Sequence, residues 1–185
     1  MTTARLFAAL ELPAAVRVQL AAFGRAAAER DHALRPVAED AMHLTLAFLG
    51  HRPLEEIDPA RAAIRGVGTI APSLSLGEPL WLAPRRPHVL TVALDDVGGA
   101  LASLRAQVVE RLAEALPWEP EARPFRPHIT VARVRRDVRP RRRALPVAPQ
   151  ASFAGEAVVL LRSHLGRGPA RYEELERIAL TSPFG

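Results

Sequence analysis

The chain has 185 residues, 49% of them hydrophobic, and a formal net charge of +5. That is enough apolar material for one large domain or two closely packed lobes, and it argues against disorder. No Cys is present, which excludes disulfides and thiolate chemistry, and a pI near 11.1 favours polyanionic partners, although all 25 basic residues are Arg and must also serve ordinary solubility.

The N-terminus, Met-Thr-Thr-Ala-Arg-Leu-Phe, runs straight into a strand-like segment without the apolar stretch of a secretory signal. No apolar run reaches the ~18–20 residues of a membrane span, so a soluble, cytoplasmic protein without a membrane partner is expected. Residues 5–12 read as a buried strand, and Pro13 suits the first turn of a helix. That helix is expected to run to about residue 30, with Val16, Leu20, Phe23 and Ala27 on one face. A loop around Arg35-Pro36 leads to an apolar run that begins at His43. Leu54, Ile57, Arg61 and Ile64 suit a short amphipathic helix, and residues 73–82 suit one or two strands.

A second strand is expected from Val89 to Leu94, followed by a break over Asp95-Asp96-Val97-Gly98-Gly99. The helix after it, to about Leu116, carries Leu101, Leu104, Val108 and Leu112 on one face and is ended by Pro117. A Pro-rich loop then leads to another apolar run, beginning at His128. Ala157 to Leu161 and Leu175 to Leu180 read as closing strands, and no Gly/Ser-rich linker divides the chain.

The two apolar runs share a pattern, His-x-Thr-x, with the two histidines 85 residues apart. The first copy is His43-Leu44-Thr45-Leu46 and the second is His128-Ile129-Thr130-Val131. On a strand, burying the aliphatic pair turns the imidazole and hydroxyl together to the open face. The prelude repeats as well: Leu6 precedes His43 by 37 residues, and Leu90 precedes His128 by 38. These matched strand–helix–strand units point to an α+β molecule with a bilobed, pseudo-two-fold duplication. Each lobe is expected to be an antiparallel sheet with packed helices, with the two motifs meeting in a central cleft. The whole chain, 1–185, is expected to be one domain of two intimately packed lobes.

Two histidines, with unperturbed pKa values of ~6.5, can serve as acid and base in one displacement. Neither motif supplies a nucleophile or a carboxylate. The six His form no His-x-His or His-Glu-x-x-His spacing, so neither a metal nor another cofactor is expected. An acid, a base and two hydroxyl donors suit an activated phosphodiester such as a strained cyclic phosphate.

The paired tetrapeptides resemble those of the two-histidine (2H) phosphoesterase superfamily, and within it the RNA 2′,3′-cyclic phosphodiesterases, also called 2′-5′ RNA ligases. The matching stretches are Arg-Leu-Phe-Ala-Ala-Leu-Glu-Leu-Pro (5–13), Met-His-Leu-Thr-Leu-Ala-Phe-Leu-Gly (42–50), Arg-Pro-Phe-Arg-Pro-His-Ile-Thr-Val-Ala-Arg-Val (123–134) and Ala-Arg-Tyr-Glu (170–173). One departure is Ala41-Met42, where relatives often carry Asn-Leu. The resemblance implies metal-independent opening of RNA 2′,3′-cyclic phosphate ends to 2′-phosphomonoesters, with reversible 2′-5′ RNA ligation as a companion reaction. It makes His43 the proton donor and His128 the proton acceptor, with Thr45 and Thr130 bonded to the phosphate. The implied partner is RNA with cyclic phosphate ends. No protein partner is implied, and a monomer is expected. Two other readings use the same quartet: hydrolysis of small cyclic nucleotides, and a non-catalytic module that binds RNA ends.

Beyond the quartet, Arg126 lies two residues before His128, where continued strand geometry would aim it at the phosphate. Arg133 should face away unless a bulge intervenes. The run from Arg133 to Arg143 holds seven Arg in eleven residues and is a candidate for salt-sensitive contact with RNA backbone. Core packing is expected for Phe7 and Phe48, and Tyr172 is the better candidate for stacking on a base.

Overall fold

The computed structural model describes residues 2–83, 86–136, 138–141, 145–164 and 170–182. Among these residues nine strands and three α-helices follow in the order β1 (Thr3–Glu11), α1 (Ala14–Arg30), β2 (Leu34–Pro36), β3 (Leu44–Pro53), α2 (Ile57–Arg65), β4 (Ser73–Leu82), β5 (Val89–Asp95), α3 (Ala100–Ala115), β6 (His128–Val134), β7 (Ser152–Ala154), β8 (Ala157–His164) and β9 (Arg171–Ala179). No helix among the described residues is long and apolar enough to cross a membrane.

The apolar periodicities dictate the two long helices. Val16, Leu20, Phe23 and Ala27 are buried on α1, and Leu101, Leu104, Val108 and Leu112 on α3. Pro13, with φ −56°, is preset for the entry to α1 and has no N–H to leave unpaired. Gly24 lets α1 approach β6 closely, because a Cβ there would lie 2.5 Å from the Val131 carbonyl oxygen. The apolar residues of all three helices join one core with Leu6, Ala8 and Leu10 of β1, Leu90 and Val92 of β5, and Val158 and Leu160 of β8. The helices therefore cover one face of the sheet.

The strands pair antiparallel in the order β7-β4-β5-β6-β3-β1-β8-β9, with β2 added beside β6. The two halves of this α+β fold meet between β3 and β6, where the registered pair is Leu44↔Ile129. Phe7 and Ala9 of β1, with Ala157 and Val159 of β8, form a second, small apolar cluster apart from the main core. By strand alternation this cluster belongs to the other, helix-free face.

Two short strands escape the sequence pattern. β2 and β7 have three residues each, too few to show a period, and β2 includes Pro36. The second short helix also differs from expectation. Leu54 sits in a 3₁₀ turn and is 38% exposed, so α2 starts later and buries Ala60, Ala63 and Ile64. Its Arg61 and Arg65 both reach the Glu176 carboxylate on β9, whose pKa is lowered, chiefly by the Arg65 hydrogen bond.

Candidate active site

Each His-x-Thr-x segment is pinned from behind. Leu44, Leu46, Ile129 and Val131 are all at most 2% exposed. Alternation therefore turns His43, Thr45, His128 and Thr130 to the helix-free face. The Leu44↔Ile129 pairing then brings the two segments together, with His43 beside Thr130 and Thr45 beside His128 in antiparallel register. All four line a pocket of about 70 Å³, together with Val37, Ala41, Arg133 and Tyr172. Among the described residues no group of three or more His, Cys, Asp or Glu is gathered to hold a metal.

The two imidazoles are oriented by the same device. His43 Nδ1 lies 3.0 Å from the Ala41 carbonyl, and His128 Nδ1 lies 2.7 Å from the Arg126 carbonyl. A carbonyl only accepts, so in both rings Nδ1 carries the hydrogen. In the neutral ring Nε2 is then the free basic nitrogen.

Their surroundings differ. The His43 ring lies 4.9 Å from the Phe7 ring and 5.3 Å, edge-on, from Tyr172, which in turn meets Phe7 at 5.1 Å. Burial lowers the His43 pKa from 6.5 to about 4; the Ala41 hydrogen bond opposes this, and the charges of Arg133 and His128 add to it. His43 is therefore neutral at pH 7 in the ligand-free site.

A bulge completes the pocket. Leu90 pairs with Ala132 and Thr91 with Thr130, so Val131 is an extra residue in β6. Val131 and Ala132 are both buried, which returns Arg133 to the open face and into the pocket lining. β3 repeats this at the same motif position: Ala8 pairs with Ala47 and Ala9 with Thr45, leaving Leu46 as the extra residue. Phe48 therefore faces outward opposite Phe7 and is 38% exposed, not packed in the core as expected. The Arg5 guanidinium lies over its ring at 4.9 Å. Phe7 is buried, but beneath His43 and outside the main core.

Arg126 is exposed and not among the pocket-lining residues; its carbonyl reaches the site, through His128. Among the described residues of the arginine run, only Arg133 lines the pocket. Arg135 Nε donates to the His32 carbonyl, and the Arg141 backbone N–H donates to Asp31. Asp137, Arg142 and Arg143 lie outside the described residues.

Residues 11–167 match the family model of the 2′-5′ RNA ligase superfamily. The chain is 33% identical to the RNA 2′,3′-cyclic phosphodiesterase of Escherichia coli, over 96% of this chain and 97% of the relative. It is 32% identical to the RNA 2′,3′-cyclic phosphodiesterase of Thermus thermophilus, over 98% and 92%. The crystal structure of E. coli LigT complexed with 3′-AMP superimposes with a TM-score of 0.76 at 29% identity, covering 97% of this chain and 99% of that one.

Proposed function

The chain belongs to the 2′-5′ RNA ligase superfamily of two-histidine phosphoesterases, and from that membership we propose that it opens RNA 2′,3′-cyclic phosphates to 2′-phosphomonoesters. The observation that carries this reading is the pairing of two oriented imidazoles and two hydroxyls around one small pocket.

In the proposed reaction the phosphate sits among Thr45, Thr130 and Arg133, which donate to its non-bridging oxygens. His128 Nε2 accepts a proton from water as the water oxygen bonds to phosphorus. The bond from phosphorus to the 3′ oxygen breaks, and that oxygen takes the proton held on His43 Nε2. The products are a 2′-phosphate and a 3′-hydroxyl, and proton exchange with solvent resets the two rings. Each histidine contributes on the order of 10²–10⁴ in rate. His43 must be protonated to act as the donor, which its ligand-free pKa of about 4 opposes. The anionic substrate supplies the compensating charge, so the donor is armed as the substrate binds. Ligation through a 2′-5′ linkage follows the same path, with a 5′-hydroxyl in place of water as the attacking group, and cleavage of that linkage is the path run backward.

The test is turnover of a short RNA with a 2′,3′-cyclic phosphate end in the presence of EDTA. Wild type should form the 2′-phosphate with a bell-shaped pH–rate profile. His43→Ala and His128→Ala should each lose at least about a hundredfold in kcat while remaining folded. Substantial turnover by either folded variant would overturn the acid–base assignment.

A further inference from the structure

Across the face that carries the pocket, Arg133 has a neighbour of its own charge. β2 and β6 pair so that Arg35 stands directly opposite Arg133. Both side chains are exposed, and neither has a carboxylate within ion-pair distance among the described residues. Like charges in direct cross-strand register destabilise a strand pair.

Among the described residues no other strand pair sets two Arg opposite each other. Arg162 and Glu173 face each other in the same kind of register between β8 and β9, where their charges lie 3.7 Å apart. Arg177 reaches Glu11, Arg52 reaches Glu56, and Arg61 and Arg65 share Glu176. The Arg35–Arg133 pair is built as though an anion completes it.

The position of β2 says which anion. Val37, two residues beyond Arg35 in extended backbone, donates its N–H to the Val131 carbonyl and lines the pocket. Alternation places Arg35 on that same face, one step farther from the quartet. We propose that Arg35, beside Arg133, is a second phosphate site that holds the phosphate on the 5′ side of the terminal nucleotide. The enzyme thereby selects cyclic ends of RNA over free nucleoside cyclic phosphates. This inference rests on the cyclic phosphodiesterase reading and adds to it a residue that sets the preference for RNA ends.

The experiment compares kcat/KM for three substrates: adenosine 2′,3′-cyclic phosphate, the same nucleotide with a 5′-phosphate, and the dinucleotide ApA ending in a 2′,3′-cyclic phosphate. Wild type should prefer each of the last two over the first by about tenfold, the scale of a charge-assisted hydrogen bond. Arg35→Gln should bring both ratios close to one, Arg35→Lys should keep part of them, and added NaCl should narrow them in wild type. Wild type without a preference, or an Arg35→Gln enzyme that keeps it, overturns the proposal. Preference for the 5′-monophosphate without preference for the dinucleotide overturns its assignment to RNA backbone. Failure of wild type on all three substrates overturns the phosphodiesterase reading instead.

Discussion

Phe48 on β3 and Arg133 on β6 occupy the same place relative to their histidines, five residues on and just past a bulge at the fourth motif residue. One of these equivalent positions therefore carries an exposed aromatic ring outside the pocket lining, with Arg5 over it, and the other carries Arg133, in the lining and opposite Arg35. The histidines show the same contrast. Both are held through Nδ1 by the carbonyl two residues back, yet His43 is enclosed by Phe7 and Tyr172, while among the described residues His128 has no ring against it. Duplication of the strand builds a symmetric cradle. The residues around it make the two ends unequal, as a displacement needs if one imidazole gives a proton while the other takes one.

The largest expected effect separates the two histidines. Burial holds His43 at about 4 in the folded chain, against 6.5 for an unperturbed ring. Above pH 6.5 this ring is neutral in both states and contributes no pH dependence. As pH falls from 6.5 toward 4, the unfolded chain binds a proton that the folded chain refuses, so stability is lost across that window, by about 3 kcal/mol at its end. In urea unfolding from pH 7 to pH 4, His43→Gln should lose this part of the slope and His128→Gln should keep it. Inorganic phosphate, if it occupies the pocket, should flatten the slope in wild type by favouring the protonated ring. Identical slopes for wild type and His43→Gln would remove the contrast between the two rings.

The next effect separates the two equivalent positions past the bulges. Arg133→Met removes a cation from the phosphate and should cost about 2 kcal/mol of transition-state stabilisation, roughly thirtyfold in kcat/KM. Phe48→Ala, at the equivalent position, should stay within about threefold, because the ring is already exposed and is not among the pocket-lining residues. Equal losses would mean that the two positions do the same work.

Much of this was legible in the sequence because two periodicities carry it. The i, i+2 alternation in Leu44/Leu46 and Ile129/Val131 set the face of the quartet, and the helical spacing of Val16, Leu20, Phe23 and Ala27 set the buried side of α1. What was not legible depends on register. A bulge adds a residue without marking the sequence, so neither the inward turn of Arg133 nor the outward turn of Phe48 follows from alternation. β2 is too short to show a pattern, and its pairing with β6 is what sets Arg35 opposite Arg133. Arg126 illustrates the converse: its even spacing from His128 predicts a guanidinium aimed at the phosphate, whereas the residue is exposed, stands outside the pocket lining and contributes its backbone carbonyl to the site.

The smallest expected effect lies behind the sheet, where the two bulges are held differently. A bulge leaves the carbonyl of its extra residue without a ladder partner. On β6, Val131 is satisfied by the main-chain N–H of Val37 at 2.9 Å. On β3, Leu46 is satisfied by a side chain, with Arg105 Nε from α3 at 3.1 Å. The same guanidinium covers the Phe125 ring at 4.5 Å, three residues before His128, so one side chain ties the two motif segments together. Arg105→Met should keep much of the packing of its stem, leave the Leu46 carbonyl unpaired and lose the ring contact. The expected cost is about 1–2 kcal/mol, a fall of roughly 4 °C in Tm. Val37→Ala keeps its backbone bond and should leave the β6 bulge intact. Because Arg105 acts through the strand and not on the substrate, its loss should lower kcat more than it raises KM. Loosened register at Thr45 misplaces the reacting groups, whereas Arg133 and Thr130, held by β6, still bind the phosphate. A drop in Tm with kcat and KM both unchanged would show that the β3 bulge holds its register without Arg105.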